Sequence, residues 1–282
     1  MSEQPYPFAD IQLARRLERS EAQGNIDFIE ARDEAFPDYG AKWIEIAGTF
    51  AMFDGVASPL TQTFGLGMSQ PITADDLDKL EAFFLMREAD VFHEVCPLAD
   101  PSAFKLLNER GYRPIEFSNV LYRPISPELR LHVRFNGALK IRVLEKHEAD
   151  LWARTAFEGW REYAEVRDFM RELGQVTAHS RAISFLAELK SDPIGTGALT
   201  IAGDVALLAG ASTVPAARRR GVQLALLETR LRYAAERGCT VAMMVAHPGS
   251  SSQRNAERHG FRIAYTRTKW HLSQNSRGTG SI

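Results

Sequence analysis

Three consecutive arginines and a glycine, Arg218-Arg219-Arg220-Gly221, are the densest chemistry in the sequence. They lie between an apolar run, Val205 to Val214, and a stretch with helical periodicity that continues to about Glu236. A helix start offers backbone N–H groups without intrahelical partners and the positive end of the helix dipole, so it is a natural seat for phosphate. Gly221 has no Cβ to collide with a bulky anion, and the arginines add charge and planar donor forks. A strand, a glycine turn and a helix therefore predict a diphosphate-bearing ligand here. The bland alternative is a solvated basic turn, and the stretch alone does not separate the two. No Gly-Lys-Ser/Thr tripeptide and no G-x-G-x-x-G after an early strand compete as phosphate motifs.

The elements around this turn read as a mixed α/β pattern. Ala9 to Ala22 and Ile26 to Phe36 are expected as two helices, separated by Gly24-Asn25 and ended by Pro37. Trp43 to Phe53 and Leu60 to Met68 have strand composition around the turn Asp54-Gly55. Thr73 N-caps a helix from Asp75 to Arg87; Val91 to Cys96 is a strand, Pro101 to Arg110 a helix, and Tyr112 to Pro124 a strand. After an alternating strand, Ala138 to Leu144, comes a helical region from Lys146 to Arg171. Ile183 to Leu189, Ile194 to Ala202 and Val205 to Val214 are expected as three antiparallel strands turning at Asp192-Pro193 and Gly203-Asp204. The basic turn and its helix, a strand from Thr240 to Ala246, a helix near Ser251 and a strand from Ile263 to Leu272 complete the order.

The chain has 282 residues and a formal net charge of −2, which suits two domains and gives no general attraction to nucleic acid or an anionic membrane. Cys96 and Cys239 read as reduced core thiols, and the scattered histidines give no metal site. No apolar segment is long enough to span a bilayer and no leader is expected, so a cytoplasmic location follows.

With its neighbours, the basic turn resembles a signature of the GNAT superfamily of acyl-CoA-dependent N-acyltransferases. Arg218-Arg219-Arg220-Gly221-Val222-Gln223 matches the family's Arg/Gln-x-x-Gly-x-Gly/Ala loop except at Gln223. Downstream, Ser250-Ser251-Ser252-Gln253-Arg254-Asn255-Ala256-Glu257-Arg258-His259-Gly260-Phe261 is similar to the family's second signature, a short helix ending in Gly-Phe. The two stand in family order with one strand between them. Ungapped superposition of Cys96 on Val245 sets Glu109-Arg110-Gly111-Tyr112-Arg113 against Arg258-His259-Gly260-Phe261-Arg262, which suggests an internal duplication. The fold implied is α/β of the α+β type: two tandem GNAT-like units with mixed, mainly antiparallel sheets flanked by helices. Residues 1–126 would be a degenerate GNAT-like domain, 127–138 a linker or crossing segment, 139–273 a complete acetyltransferase domain and 274–282 a flexible tail. The first copy carries Pro71, Asp75 and Asp76 where a phosphate loop would lie, so one working site per chain is expected.

The resemblance implies acetyl-CoA as co-substrate, with Ser212, Thr213 and Val214 along the pantetheine arm. Arg219, Arg220, Gly221, Val222, Gln223 and Leu224 would hold the pyrophosphate, and Ser252 and Asn255 would make side-chain contacts, or in the bland reading cap a helix and face solvent. Gln223 either sets its part of the loop back from the phosphates or donates its amide to them. The implied reaction is direct attack by a primary amine of a small molecule or protein on the thioester. The family's tyrosine acid falls on Ala256, and no carboxylate occurs between Val205 and Val214 to serve as the usual base. His247, Glu188 and Glu162, with Glu158, are the substitutes; Trp160, Tyr163 and Phe169 lie in the region that lines the acceptor pocket. The alternative is a non-catalytic acyl-CoA-binding protein. No nucleic-acid or membrane partner is implied, and homodimer formation stays open.

Overall fold

The computed structural model describes residues 5–129, 139–162 and 167–273, with the side chains of 167–171 left aside. Most of the expected linker, and the expected tail, fall outside the described residues. The chain divides into two compact units. One comprises Tyr6–Tyr122 and Val245–Ile282 and is called the N-terminal unit; the other is built from Arg123–Met244 and is called the central unit.

The N-terminal unit begins with one helix, α1 (Ile11–Ala35), not the two expected. A glycine within a helix costs only about 1 kcal/mol relative to alanine. The buried face of Leu13, Leu17, Ile26 and Ile29 runs unbroken past Gly24 and outweighs that cost. Asn25 also turns back to donate from Nδ2 to the Glu21 carbonyl (3.0 Å), which keeps its backbone helical. The next expected strand is a hairpin of β1 (Lys42–Ile46) and β2 (Thr49–Phe53). Its turn, inside the expected strand, lies at Ala47 (φ 52°) and Gly48 (φ 75°), while Asp54 and Gly55 (φ 97°) open the expected connection to the next strand. A two-residue hairpin turn needs left-handed residues at both positions, which Ala47 does not advertise. Asp54 is buried against the Arg32 guanidinium at 2.7 Å.

A short β3 (Gln62–Phe64), α2 (Ala74–Leu85), β4 (Val91–Val95), α3 (Pro101–Glu109) and β5 (Arg113–Pro124) follow. The end of the chain adds α7 (Ser251–Arg258) and β11 (Arg262–Leu272) to this unit. Its sheet has the order β1-β2-β3-β4-β11-β5. Thus β11 lies between β4 and β5 and is antiparallel to both, with Trp270 opposite His93 and Thr266 opposite Asn119. The contact units therefore assign α7 and β11 to the other unit from the sequence division at 139–273.

The central unit contains β6 (Leu139–Val143), α4 (Ala149–Trp160), α5 (Arg167–His179), β7 (Ile183–Leu189), β8 (Asp192–Ala202), β9 (Val205–Thr213), α6 (Val222–Ala235) and the first four residues of β10 (Val241–Ala246). Its sheet order is β10-β9-β8-β7-β6, antiparallel except for the parallel β9–β10 pair. The β7–β8 turn is at Lys190 (φ 53°) and Ser191 (φ 73°), so Asp192 and Pro193 start β8 instead of forming the turn. Proline is acceptable at the first positions of a strand, where a missing donor costs least. The β8–β9 turn is at Gly203-Asp204 as expected. The side chains of β8 alternate between two helices: Thr196 and Ala198 face α4, whereas Gly195 and Gly197 lie against α6.

The chain order β3-α2-β4-α3-β5 recurs as β9-α6-β10-α7-β11. Gly111 (φ 78°) and Gly260 (φ 76°) close α3 and α7 in the same left-handed way.

Candidate functional site

The β9–β10 ladder consists of Val205–Val241, Ala206–Ala242 and Leu207–Met243, after which β9 runs on to Thr213. Beyond the last pair, β9 is bent by a bulge. Thr196 is opposite Ser212 and Ala198 opposite Ala209, so the single residue Gly197 faces two, Gly210 and Ala211. Ala209, Gly210 and Ala211 are exposed, although the strand before them is buried. Gly210 has φ 58°, and a Cβ there would lie 3.2 Å from the Trp152 ring of α4 and 3.0 Å from Ala198. Only glycine fits both the backbone sign and the packing. A hydrogen bond between Thr196 Oγ1 and Ser212 Oγ (2.7 Å) fixes the far side of the bulge.

The chain then passes through a 3-10 turn at Pro215–Ala217 into the basic loop. Arg219 (φ 64°) and Gly221 (φ 80°) are both left-handed, and Arg218 before them is extended. The first backbone bond of α6 is from the Ala225 N–H to the Gly221 carbonyl (3.0 Å). The N–H groups of Val222, Gln223 and Leu224 therefore precede the ladder, as orphan donors do. Asp10, Thr73, Asp100 and Ser250 cap α1, α2, α3 and α7 with side-chain oxygens, whereas Gly221 supplies none to α6. A Cβ built on Gly221 would meet nothing within 4 Å, so the space over this helix start is open.

Two side chains brace the loop. Arg218 donates to the Glu162 carboxylate (2.5 Å) and to the Gly159 carbonyl (3.2 Å) at the end of α4. Gln223 donates from Nε2 to the Ser212 carbonyl and to Thr213 Oγ1, each at 2.6 Å. The side-chain amide thus ties the helix start to the end of β9. The central unit in this way gathers Ser212, Thr213 and Val214 with Arg219 to Leu224. Arg219 and Arg220 are exposed, Val222 is buried and Leu224 is half-buried.

The remaining candidates are dispersed. Glu188 on β7 and Glu148 grip Arg142 from two sides, at 3.1 and 2.6 Å. Glu158 pairs with Arg161. His247 is exposed, 3.8 Å from Glu116, and belongs to the N-terminal unit. Ser252 and Asn255 are exposed on α7 in that unit, and the helix is capped by Ser250 instead of Ser251 or Ser252. Ala256, at the tyrosine position, is buried. Trp160 is half-buried, Tyr163 lies outside the described residues, and the Phe169 side chain is not described.

The equivalent region of the N-terminal unit is closed by its own chemistry. Thr73 and Asp76 form a reciprocal capping box at α2, and the hydrogen bonds from Thr73 hold the Asp76 carboxyl below its usual range. The Asp100 N–H donates to the Gly67 carbonyl (2.9 Å), and a Cβ at Gly67 would lie 3.1 Å from Ala103. The loop is thereby packed onto the start of α3. His93 is buried between Thr63 (2.7 Å) and Tyr112 (3.1 Å), and burial lowers it to about 3, so it stays neutral.

Sequence reasoning did not single out Arg230, Thr196 or Gly197. Arg230 was legible in principle, because it occupies the i+8 place after Val222 and the i+4 place after Leu226 on a buried helix face.

No helix among the described residues is long and apolar enough to cross a membrane. No group of three His, Cys, Asp or Glu among them could hold a metal ion. No curated protein matches the chain. In solved structures, a GCN5-related N-acetyltransferase from Kribbella flavida is 18% identical with a TM-score of 0.63, over 92% of this chain and 95% of that one. A GCN5-related N-acetyltransferase from Sphaerobacter thermophilus is 14% identical with a TM-score of 0.53, over 82% and 75%. A tandem GNAT protein from the clavulanic acid biosynthesis pathway is 12% identical with a TM-score of 0.55, over 73% and 70%. These likenesses establish the fold: mixed α/β with mostly antiparallel strands flanked by helices. The family model described as acetyltransferase (GNAT) family matches residues 147–261, a span that contains the bulged strand, the basic loop and the Gly-Phe helix end. Residues 147–261 of this chain are therefore a domain of the GNAT acetyltransferase family.

Proposed function

We propose that the protein is an N-acetyltransferase that moves an acetyl group from acetyl-CoA to a primary amine by direct attack. The observation that carries this reading is the pairing of an uncapped helix start, bordered by left-handed Arg219 and Gly221, with an exposed bulged strand leading into it. The N–H groups of Val222, Gln223 and Leu224, with Arg219 and Arg220, would bind the pyrophosphate. The backbone from Ala209 to Val214 would lie along the pantetheine arm. Ser212 and Thr213 would contribute main-chain groups there, since their hydroxyls are engaged by Thr196 and Gln223.

A neutral amine attacks the thioester carbonyl carbon, the tetrahedral adduct loses CoA thiolate, and the amine's extra proton leaves to a base. Glu162, tied to the loop through Arg218, is the proposed base; Glu188 is committed to Arg142 and is assigned a structural role. An acyl-enzyme is disfavoured because both cysteines are buried, and burial pushes the Cys96 thiol up to about 12 and raises Cys239 as well. The closed loop beside α2 supports one CoA site per chain. The buried Ala256 supports the second reading, a non-catalytic acyl-CoA-binding protein.

Thiol release from acetyl-CoA, followed across a panel of small amines and amine-bearing peptides, tests the proposal. Amine-dependent release is expected; CoA binding without turnover on any acceptor would favour the binding protein.

A further inference from the structure

Arg230 lies on α6, fully buried beneath the sheet. Its Nη1 donates to the Ala198 carbonyl (3.1 Å) and to the Ala209 carbonyl (3.0 Å), and its Nε donates to Leu226 on its own helix (3.1 Å). Ala198 and Ala209 are the pair at which the β8–β9 register breaks, so one guanidinium grips both strands at the root of the bulge. Burial lowers Arg230 only to about 10, so the group stays charged at neutral pH.

Gly197, the single residue facing the two bulged ones, makes this possible: a Cβ there would lie 3.0 Å from both Cζ and Nε of Arg230. On the opposite face, Trp152 presses on Gly210, and Thr196 Oγ1 bonds the Gly210 carbonyl (3.2 Å). The bulge is thus clamped from α6 by a cation and from α4 by an indole. A buried charge satisfied by main-chain oxygens is a costly way to hold two strands together. An apolar side chain at 230 would pack the helix equally well but would leave the Ala198 and Ala209 carbonyls without these donors.

Resting on the coenzyme reading of this strand, we propose that Arg230 is a positioning residue that sets the β9 bulge and thereby aims the exposed backbone of Gly210 and Ala211 at the acyl end of the bound thioester. It touches neither the coenzyme nor the acceptor. Its effect therefore falls on recognition of the acetyl group and leaves the pyrophosphate end alone.

Calorimetric titration with CoA and with acetyl-CoA separates the two ends without an identified acceptor. Wild type is expected to bind acetyl-CoA about fivefold more tightly than CoA, the worth of one net hydrogen bond. In R230M that preference falls to near one while the Kd for CoA stays within about twofold. G197A keeps the arginine but displaces it, and is expected to behave in the same way, which keeps the test open if R230M does not fold. The carbonyl stretch of bound acetyl-CoA in the infrared should shift to lower frequency in wild type and return toward its solution value in either variant. A merely structural arginine would instead weaken both ligands equally and leave the stretch unmoved. CoA binding with an unchanged acetyl preference in the variants overturns the proposal alone. Failure of wild type to bind CoA overturns the coenzyme reading and the proposal together.

Discussion

Gly221 carries the proposed site at the level of single residues, through the sign of its φ and not through packing. Alanine at this position meets no neighbour but must adopt a left-handed backbone at a cost of about 1–2 kcal/mol. Gly221→Ala is therefore expected to weaken CoA binding roughly five- to thirtyfold in a calorimetric titration, with little loss of thermal stability if the loop relaxes instead of the fold. Glu188→Gln should do the reverse. It removes one of two carboxylates on a half-buried Arg142, costing about 1 kcal/mol in denaturant unfolding, and leaves amine-dependent turnover within twofold of wild type. A large loss of turnover at unchanged stability would return Glu188 to the chemistry. The residues legible in the sequence were those whose backbone needs are chemical: Gly221, the Gly203-Asp204 turn and the Thr73 cap. Lys190-Ser191 was not, since neither residue type announces the left-handed conformation that it adopts. The side-chain partners of Gln223 were not legible either, since Ser212 and Thr213 come close only after β9 has bent.

Among the elements, α1 and β11 meet at a buried charge cluster that no local pattern signals. Arg267 on β11 lies 3.3 Å from Glu18 and 2.7 Å from Glu21 on α1. Its Nε lies 3.1 Å from Glu94 on β4, an ion pair whose angle does not make a hydrogen bond. Three carboxylates share one cation, and Tyr265 donates to Glu18 at 2.8 Å. Burial pushes Glu18 up to about 7 against the attraction of Arg267, with the charges of Glu21 and Glu94 adding to the rise. A carboxyl whose pKa is higher folded than unfolded stabilises most below its unfolded value, near 4.5. That contribution is lost as pH rises through about 7. Denaturant unfolding should accordingly show wild-type stability falling between pH 5 and pH 8. Glu18→Gln should flatten this slope and be the more stable protein at pH 8, by at most about 3 kcal/mol. An unchanged slope would place the titration elsewhere. Helix α1 itself was only half legible: its apolar period was plain, but Gly24-Asn25 read as a stop because burial on both sides of a glycine is a tertiary fact.

For the molecule as a whole, the repeated order of strands and helices was legible and the destination of the last strand was not. Sequence similarity relates β11 to the second copy, yet its backbone partners, β4 and β5, both belong to the first. Pairing over such distances leaves no local trace: His271 and Asp90, joined at 2.9 Å, are 181 residues apart. A chain ending at His259 should therefore lose the N-terminal unit, because Glu18, Glu21 and Glu94 would keep their burial without Arg267. Limited proteolysis should then cleave rapidly within residues 6–122, whereas the full chain resists; equal resistance would show that β11 is dispensable there.

The same inserted strand sets a timetable for synthesis. Once Tyr122 has left the ribosome, roughly 140 further residues must be translated before Arg262 appears, about 7–30 s at ordinary elongation rates. Throughout that interval the ribosome-bound chain holds β4 and β5 with unpaired edges and no strand to join them. Whatever shields those edges in the cell acts during that wait, and residues 6–122 become part of a finished unit only when β11 arrives.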